Sequence, residues 1–378
     1  MGKVKLIATA AMGIEALVAR EVKDLGYTDV QVENGKIIFE AEEKAICRAN
    51  LWLRTANRIK LVVGEFKAVT FDELFEKTKA LPWGDLIPEN GEFPVIGKSV
   101  KSTLFSVSDC QAIVKKAVVE SMKKTYKRSW FDEDGPFYRI EVAILKDVVT
   151  LTIDSTGSGL HKRGYRYLHS EAPLKETMAA AMIMLTNWKP DRPFWDPFCG
   201  SGTLPIEAAM IGQNIAPGFN REFASQEWDW IGEKNWQEAM EEAEDLANYD
   251  QPLEIFGTDI DHNMVDLSIN NAKEAGFGDL LQFKQMQVKD ISTRLEYGCL
   301  VANPPFGERL GELTEVEQMY RDMGRALAKL DTWSVYTLTS HEEFEQLFGK
   351  KASKKRKLYN GNIKTNFYQF FGPRPPRN

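Results

Sequence analysis

No run of about eighteen apolar residues occurs in this chain, which excludes a helical membrane span. The start, Met1-Gly2-Lys3-Val4-Lys5-Leu6, passes at once into patterned sequence, without the longer apolar stretch of a cleavable signal, so export is not expected. Cysteine is scarce. Cys47, Cys110, Cys199 and Cys299 are widely scattered and show no metal-ligand spacing. A reducing cytoplasm without structural disulfides is the expected setting. His161, His169, His262 and His341 form no close ligand pair either, so no metal is expected. No internal repeat or low-complexity tract is present. What remains is an ordinary globular composition, 43% hydrophobic and 27% charged. Its length of 378 residues suggests two or three domains.

A net positive charge is also missing. The balance is −7, which argues mildly against a nucleic-acid partner. The distribution argues for one. Between Lys98 and Arg128 there are eight basic residues and two acidic ones, Asp109 and Glu120. A second basic run comprises Lys350, Lys351, Lys354, Lys355, Arg356 and Lys357. Much of the negative charge lies between Glu222 and Glu254. Two local basic faces are what phosphate contact needs. Lysine runs are as often plain solvated surface.

The first third reads as α+β. Lys3–Ala8 alternates like a strand, and Ile14, Leu17, Val18 and Val22 have helical spacing. Val30–Glu33 and Lys36–Ala41 flank Asn34-Gly35, a strong hairpin signal. With the helix Glu42–Leu53 they make a small sheet covered on one face. A second unit follows, with strands Arg58–Glu65, Pro94–Val100, Tyr138–Leu145 and Val148–Ile153. Its long helix Ser108–Tyr126 carries Lys115, Lys116, Lys123 and Lys124, either a phosphate-tracking face or a wet side. From about Glu171 the pattern changes. A helix Pro173–Leu185 precedes alternating strands and helices, with strands at Pro193–Asp196, Ile255–Asp259, Leu281–Gln285, Gly298–Ala302 and Trp333–Leu338. Phe367–Phe371 is strand-like and suited to the sheet's end. This implies an α/β unit with a mostly parallel sheet. An acidic, tryptophan-rich insert fills the stretch between Gln213 and Pro252.

Three motifs fall at strand ends of that last unit. Asp196-Pro197-Phe198-Cys199-Gly200-Ser201-Gly202-Thr203 follows a strand and opens a helix. Its glycines allow a tight turn and close ligand approach, and the helix offers free amides. A lone glycine-rich turn is weak by itself. It also lacks the third glycine of the dinucleotide fingerprint, which disfavours a nicotinamide enzyme. The second motif, Thr258-Asp259-Ile260-Asp261, ends the next strand. There Asp259 suits ribose hydroxyls and Asp261 suits a helix cap. Asp290 follows the third strand and suits an adenine amine.

The sharpest signal is Asn303-Pro304-Pro305-Phe306 after the fourth strand. The prolines fix an extended backbone and present their carbonyls stiffly. Phe306 offers a flat face. An aromatic amine is a poor nucleophile because its lone pair is delocalised. The Asn303 side-chain oxygen and the Pro304 carbonyl can accept its N–H bonds, aim the lone pair and stabilise charge developing on nitrogen. A base in a duplex must first be flipped out to reach such a pocket. The plain alternative is a proline-rich strand exit beside a core aromatic.

These motifs resemble the THUMP-domain class of S-adenosylmethionine-dependent RNA methyltransferases, near the family that includes the RlmL amino-terminal module. The resemblance covers nearly the whole chain. It includes the junction Asp154–Arg166, Pro173-Leu174-Lys175-Glu176-Thr177, the insert around Ala216-Pro217-Gly218-Phe219, and the tail Leu358-Tyr359-Asn360-Gly361-Asn362-Ile363. It implies a ferredoxin-like domain over 1–56, a THUMP RNA-binding domain over 57–155, a linker at 156–164, and a Rossmann-like class I methyltransferase domain with a seven-stranded sheet over 165–378. S-adenosylmethionine is the implied cofactor, at Asp196, Phe198, Gly200, Gly202, Thr203, Asp259, Ile260, Asp290 and Asn303. Catalysis falls to Asn303, Pro304, Pro305 and Phe306. The implied partner is 23S ribosomal RNA, methylated at guanine N2, with transfer RNA as rival. RNA contacts are expected from Lys115, Lys116, Lys123 and Lys124. The junction cations Lys162, Arg163 and Arg166 suit either RNA contact or packing. A non-catalytic assembly factor is the rival from another class; the intact Asp196, Asp259, Asp290 and Asn303 count against it.

Overall fold

The computed structural model describes residues 2–166, 174–306, 313–361 and 363–376. The chain forms two compact units. One comprises Met1–Ala10, Val18–Leu160 and Arg221–Glu242; the other comprises Ala11–Leu17, His161–Asn220 and Ala243–Asn378.

The first unit holds strands β1 (Val4–Thr9), β2 (Val30–Glu33), β3 (Lys36–Ala41), β4 (Arg58–Lys67), β5 (Val95–Val100), β6 (Ile140–Leu145) and β7 (Val148–Asp154). The Asn34-Gly35 hairpin forms as its turn chemistry requires, with Glu33 opposite Lys36. Sequence patterning gave one small sheet followed by a second unit. Instead all seven strands form one sheet, in the order β2-β3-β1-β4-β7-β6-β5. The join is β4. It is ten residues long, pairs with β1 at Leu6↔Leu61, and pairs with β7 from Lys60↔Asp154 to Lys67↔Val148. Both of its edges are therefore engaged. The helix Val107–Tyr126 buries Cys110, Val114, Ala117, Val118 and Met122, so its lysines fall on the wetter side. The tryptophan-rich insert contributes to this unit's core. Trp228 stacks on Tyr138 with ring centroids 4.7 Å apart, and its indole N–H donates to the Phe137 carbonyl at 3.1 Å.

The second unit holds β8 (Phe194–Asp196), β9 (Ile255–Asp259), β10 (Leu281–Gln285), β11 (Cys299–Ala302), β12 (Ser334–Thr339), β13 (Lys354–Asn360) and β14 (Ile363–Phe370). They form a mostly parallel seven-stranded sheet in the order β10-β9-β8-β11-β12-β14-β13. The ladders from β10 to β12 are parallel; β14 and β13 join antiparallel. β13 was not legible as a strand. Its sequence is Lys-Lys-Arg-Lys-Leu-Tyr-Asn, and only Leu358 is buried. Lysine-rich edge strands resist pairing with other chains, so they lack the apolar alternation that marks a half-buried strand. The expected helix at Pro173–Leu185 runs Glu176–Met184, with Pro173 outside the described residues. His169, Gly307–Leu310 and Asn362 also lie outside them. Among the described residues no helix is long and apolar enough to cross a membrane. All four cysteines are free and buried.

The strand order sets the site. From β8 the chain adds β9 and β10 on one side, then crosses to add β11 and β12 on the other. In such sheets ligands bind outside the carboxyl ends of the strands at this reversal. Here the reversal lies between β8 and β11.

Candidate active site

The glycine turn leaves the carboxyl end of β8. Cys199 N–H donates to the Thr258 carbonyl at 2.9 Å, and Gly202 N–H to the Cys199 carbonyl at 2.7 Å. Gly200 has φ +50° and Gly202 φ +82°, both in the left-handed region that favours glycine. Their surroundings differ. A Cβ on Gly202 would lie 3.0 Å from the Ser268 side chain, so this position packs the turn against the helix His262–Glu274. A Cβ on Gly200 would meet nothing within 4 Å, so its backbone lies open to an approaching group. The helix Thr203–Gly212 then begins, its first amides directed back toward the turn.

Asp259 ties the turn to β9. Its Oδ2 accepts the Gly200 N–H at 2.9 Å, and its Oδ1 accepts the Asp261 N–H at 3.0 Å. Asp261 caps the next helix, its Oδ1 accepting the Asn263 N–H at 2.9 Å. The division of labour expected for these two acids therefore holds for the cap. Asp196 is buried beneath the turn and accepts the Phe198 N–H at 3.0 Å. Burial raises its carboxyl well above the usual carboxylate range; that hydrogen bond opposes the rise and the nearby Asp259 charge adds to it.

Beside the turn, Pro197, Phe198, Ile260, Met286, Gln287, Val288 and Met319 line a cavity of about 470 Å³. Ile260 is 63% exposed, which is unusual for isoleucine and marks an uncovered apolar wall. Asp290 does not line this cavity. It ends the single turn Val288–Asp290 and is exposed. Gln287 and Lys289 bring polar groups to it from this turn, and Thr314, Glu315, Gln318, Arg321 and Asp322 bring more from the opposite wall; sequence reasoning missed all of them. No spacing rule singles out a glutamine in a short turn.

Across the reversal, β11 runs beside β8 with Leu300↔Trp195 in register. Asn303 and the glycine turn therefore leave the same sheet edge from adjacent strands, whose spacing is about 4.8 Å. The Asn303 Oδ1 is buried and has no hydrogen-bond partner among the described residues. A buried, unsatisfied acceptor costs about 1–3 kcal/mol and is rare in folded proteins. Pro304 is buried, Pro305 exposed and Phe306 half-buried. The Pro305 carbonyl accepts the Tyr320 hydroxyl at 3.0 Å, and that hydroxyl lies 2.8 Å from Thr339 Oγ1. Tyr320 thus fixes the diproline turn from the helix Leu313–Leu327.

The junction cations divide. Arg163 is 2% exposed, and its Nε and Nη2 meet the two Glu207 oxygens at 3.1 and 3.2 Å. Of its two expected roles this geometry favours packing over RNA contact: a guanidinium buried in a fork-to-fork pair offers nothing to an RNA phosphate. Arg166 likewise favours packing. Its side chain is buried, faces Glu176 at 3.4 Å, and donates to Thr203 Oγ1. Lys162 is exposed. In the first unit, Lys115 lies over the Phe93 ring and contacts both Glu133 oxygens at 2.6 Å. Lys123 pairs with Glu120 at 2.7 Å. Both are thus already neutralised by acids, which weakens their expected part in RNA contact. Lys116 and Lys124 are exposed on the same helix.

Comparison with known proteins agrees with this layout. Residues 163–369 match the family described as RMKL-like, methyltransferase domain. Residues 5–60 match the RlmL ferredoxin-like domain and residues 68–154 the THUMP domain. The chain is 64% identical over 380 residues to a Bacillus subtilis (strain 168) protein named "Putative RNA methyltransferase YpsC", covering 100% of this chain and 98% of that one. A Listeria monocytogenes str. 4b F2365 crystal structure, described as "a predicted N6-adenine-specific DNA methylase", superposes with a TM-score of 0.95 at 61% identity, covering 99% of this chain and 97% of that one. The crystal structure of SMU.472, described as "a putative methyltransferase complexed with SAH", superposes with a TM-score of 0.95 at 49% identity over 100% of both chains. The chain belongs to the THUMP-domain RNA methyltransferases, in which an RlmL ferredoxin-like domain and a THUMP domain precede an RMKL-like methyltransferase domain.

Proposed function

We propose that this protein transfers a methyl group from S-adenosylmethionine to the exocyclic N2 amine of a guanine in 23S ribosomal RNA. The observation that carries the reading is the buried Asn303 Oδ1 at the sheet's reversal, without a partner among the described residues. An orphaned acceptor there is satisfied by a substrate N–H. The Pro304 carbonyl, held stiffly by its ring, supplies the second acceptor. Together they direct the amine's lone pair and stabilise positive charge as it develops on nitrogen. Phe306 gives the flipped base a face to stack on.

The residues also fit the cofactor. The open backbone at Gly200 and the helix amides after Gly202 suit its amino-acid end, where Thr203 stands. Asp259 suits the ribose hydroxyls, and the apolar walls Phe198 and Ile260 suit adenine, with Gln287 reading its edge in place of Asp290. Buried Asp196 suits a cationic group. When bound, S-adenosylmethionine supplies an electrophilic methyl on a sulfonium. The SAH complex of SMU.472 supports this choice. RNA as substrate draws support from the THUMP match and from the name of the Bacillus relative.

Asp259→Asn should weaken S-adenosylmethionine binding by roughly ten- to a hundredfold in calorimetry, the loss of charge-assisted hydrogen bonds worth about 1.5–3 kcal/mol. Wild-type affinity in that variant would reject the ribose assignment. A second reading, methylation of an adenine amine, draws on the description of the Listeria relative. A mass map of base modifications in 23S ribosomal and transfer RNA from cells lacking the protein separates the readings. The expected result is loss of one N2-methylguanosine from 23S RNA. Loss confined to transfer RNA, or loss of an N6-methyladenine, overturns the assignment.

A further inference from the structure

Two sequence features have no role in the chemistry above: the basic run Lys350–Lys357 and the segment Leu358-Tyr359-Asn360-Gly361 with Ile363. Both fall on one hairpin. β13 and β14 pair from Lys354↔Gln369 to Asn360↔Ile363. The ladder between β14 and β12 stops earlier, at Thr339↔Asn366. The pairs Leu358↔Thr365, Tyr359↔Lys364 and Asn360↔Ile363 therefore continue past the end of β12. At about 3.3 Å per residue, this overhang extends about 10 Å. β12 also pairs with β11 up to Ala302↔Thr337, so Asn303 lies level with the last residues of β12. The overhang thus stands above the catalytic rim, with β14 two strand spacings and β13 three to the side of β11, or about 10–14 Å.

Its two faces differ. Directly paired residues share a face and alternate along the strand. Leu358 and Thr365 are buried. The neighbouring Arg356 donates to the Gly13 carbonyl at 3.1 Å, and a Cβ on Gly13 would sit 3.5 Å from the Leu358 side chain. The segment Ala11–Leu17 thus buttresses this face. The opposite face carries Lys357 with Asn366 and Tyr359 with Lys364. Both lysines are exposed, and Tyr359 is half-buried. From Lys350 to Asn378 the sequence has no Asp or Glu. Edge protection accounts for lysines where β13 borders the sheet. It does not account for an aromatic beside lysines on a ribbon that outruns the sheet.

We infer that this overhang is an RNA-gripping arm of the catalytic unit. Lys357 at its base and Lys364 within it contact phosphates of nucleotides flanking the target, and Tyr359 stacks on a neighbouring base. The inference rests on the RNA-methylation reading. A flipped target leaves its neighbours unstacked, and an aromatic one or two nucleotides away compensates for that loss.

The test uses the full-length protein, 23S RNA from cells lacking it, and two variants, Lys357→Glu/Lys364→Glu and Tyr359→Ala. RNA affinity is measured against salt, and S-adenosylmethionine affinity by calorimetry. The charge variant should lose about two phosphate contacts, flattening the log–log salt dependence by about 1.4–1.8. Tyr359→Ala should weaken RNA binding roughly five- to a hundredfold with the salt slope unchanged. Cofactor affinity should stay at the wild-type value in both. Wild-type protein that binds RNA while both variants match its affinity and slope overturns the arm alone. RNA and cofactor affinity falling together means the hairpin serves folding, and also overturns it. Wild-type protein that binds no RNA removes the underlying reading and the arm with it.

Discussion

Replacing Asn303 with alanine should lower the rate of methyl transfer by about 10²–10³-fold in single-turnover assays, the loss expected when one preorganised group facing developing charge is removed. Affinity for S-adenosylmethionine should change by no more than a few-fold. The physical basis is the state of the Asn303 side chain: its oxygen is buried and makes no hydrogen bond to any of the described residues. A group that stabilised the fold would be satisfied within the fold. One held unsatisfied at a strand end costs stability until a ligand donates to it. The same substitution should therefore leave the melting temperature unchanged or raise it, since the alanine variant no longer desolvates an unpaired acceptor. Rate and stability moving in opposite directions is the signature to seek. Turnover, cofactor affinity and melting temperature falling together would assign Asn303 to structure instead. Tyr320→Phe is a useful companion. It removes the hydroxyl held against the Pro305 carbonyl but leaves Asn303 in place. It should slow transfer less than Asn303→Ala does.

What the sequence disclosed, and what it hid, divides along one line. Features that constrain their own backbone were legible. Gly200 and Gly202 in left-handed conformations, two consecutive prolines after a strand, and an aspartate capping a helix each act over a few residues. So did the strand–helix alternation that gives the mostly parallel sheet. Features made by distant partners were not. Nothing near Arg163 announces Glu207, and nothing near Lys115 announces Glu133. In both cases a cation that reads as a phosphate ligand in sequence meets an acid in space. The joining of the first small sheet to the second unit depends on β1 pairing with β4 across the 48 residues between Thr9 and Arg58. Gln287 enters the cavity because of where a short turn places it, and Asp290 misses it by the same geometry. β13 failed to read as a strand because its partner buries little of it. The family resemblance did anticipate the tail segment that closes that hairpin, although residue chemistry alone gave it no role.

The second large effect concerns stability. Arg163→Met should destabilise the methyltransferase unit by about 3–5 kcal/mol, because it leaves Glu207 buried without its partner. Both side chains are almost wholly inaccessible, 1% and 0% exposed. Chemical denaturation followed by tryptophan fluorescence measures this, with the units' transitions resolved separately because the chain has two of them. The double variant Arg163→Met/Glu207→Leu should recover most of the loss. Desolvating the two charges consumes much of what their attraction returns, so apolar groups of similar volume serve nearly as well. A single variant as stable as wild type would show that Glu207 finds another partner or takes up a proton. The pair also bears on function without touching a ligand. Glu207 lies on the helix that opens at Thr203, and Arg166, three residues beyond Arg163, donates to the Thr203 hydroxyl. Both arginines thus anchor the first turns of the helix that follows the glycine turn. Arg163→Met should therefore weaken cofactor binding, and the double variant should restore it in step with stability. Restored stability with cofactor binding still lost would mean that the charges themselves, and not the helix they hold, shape the site.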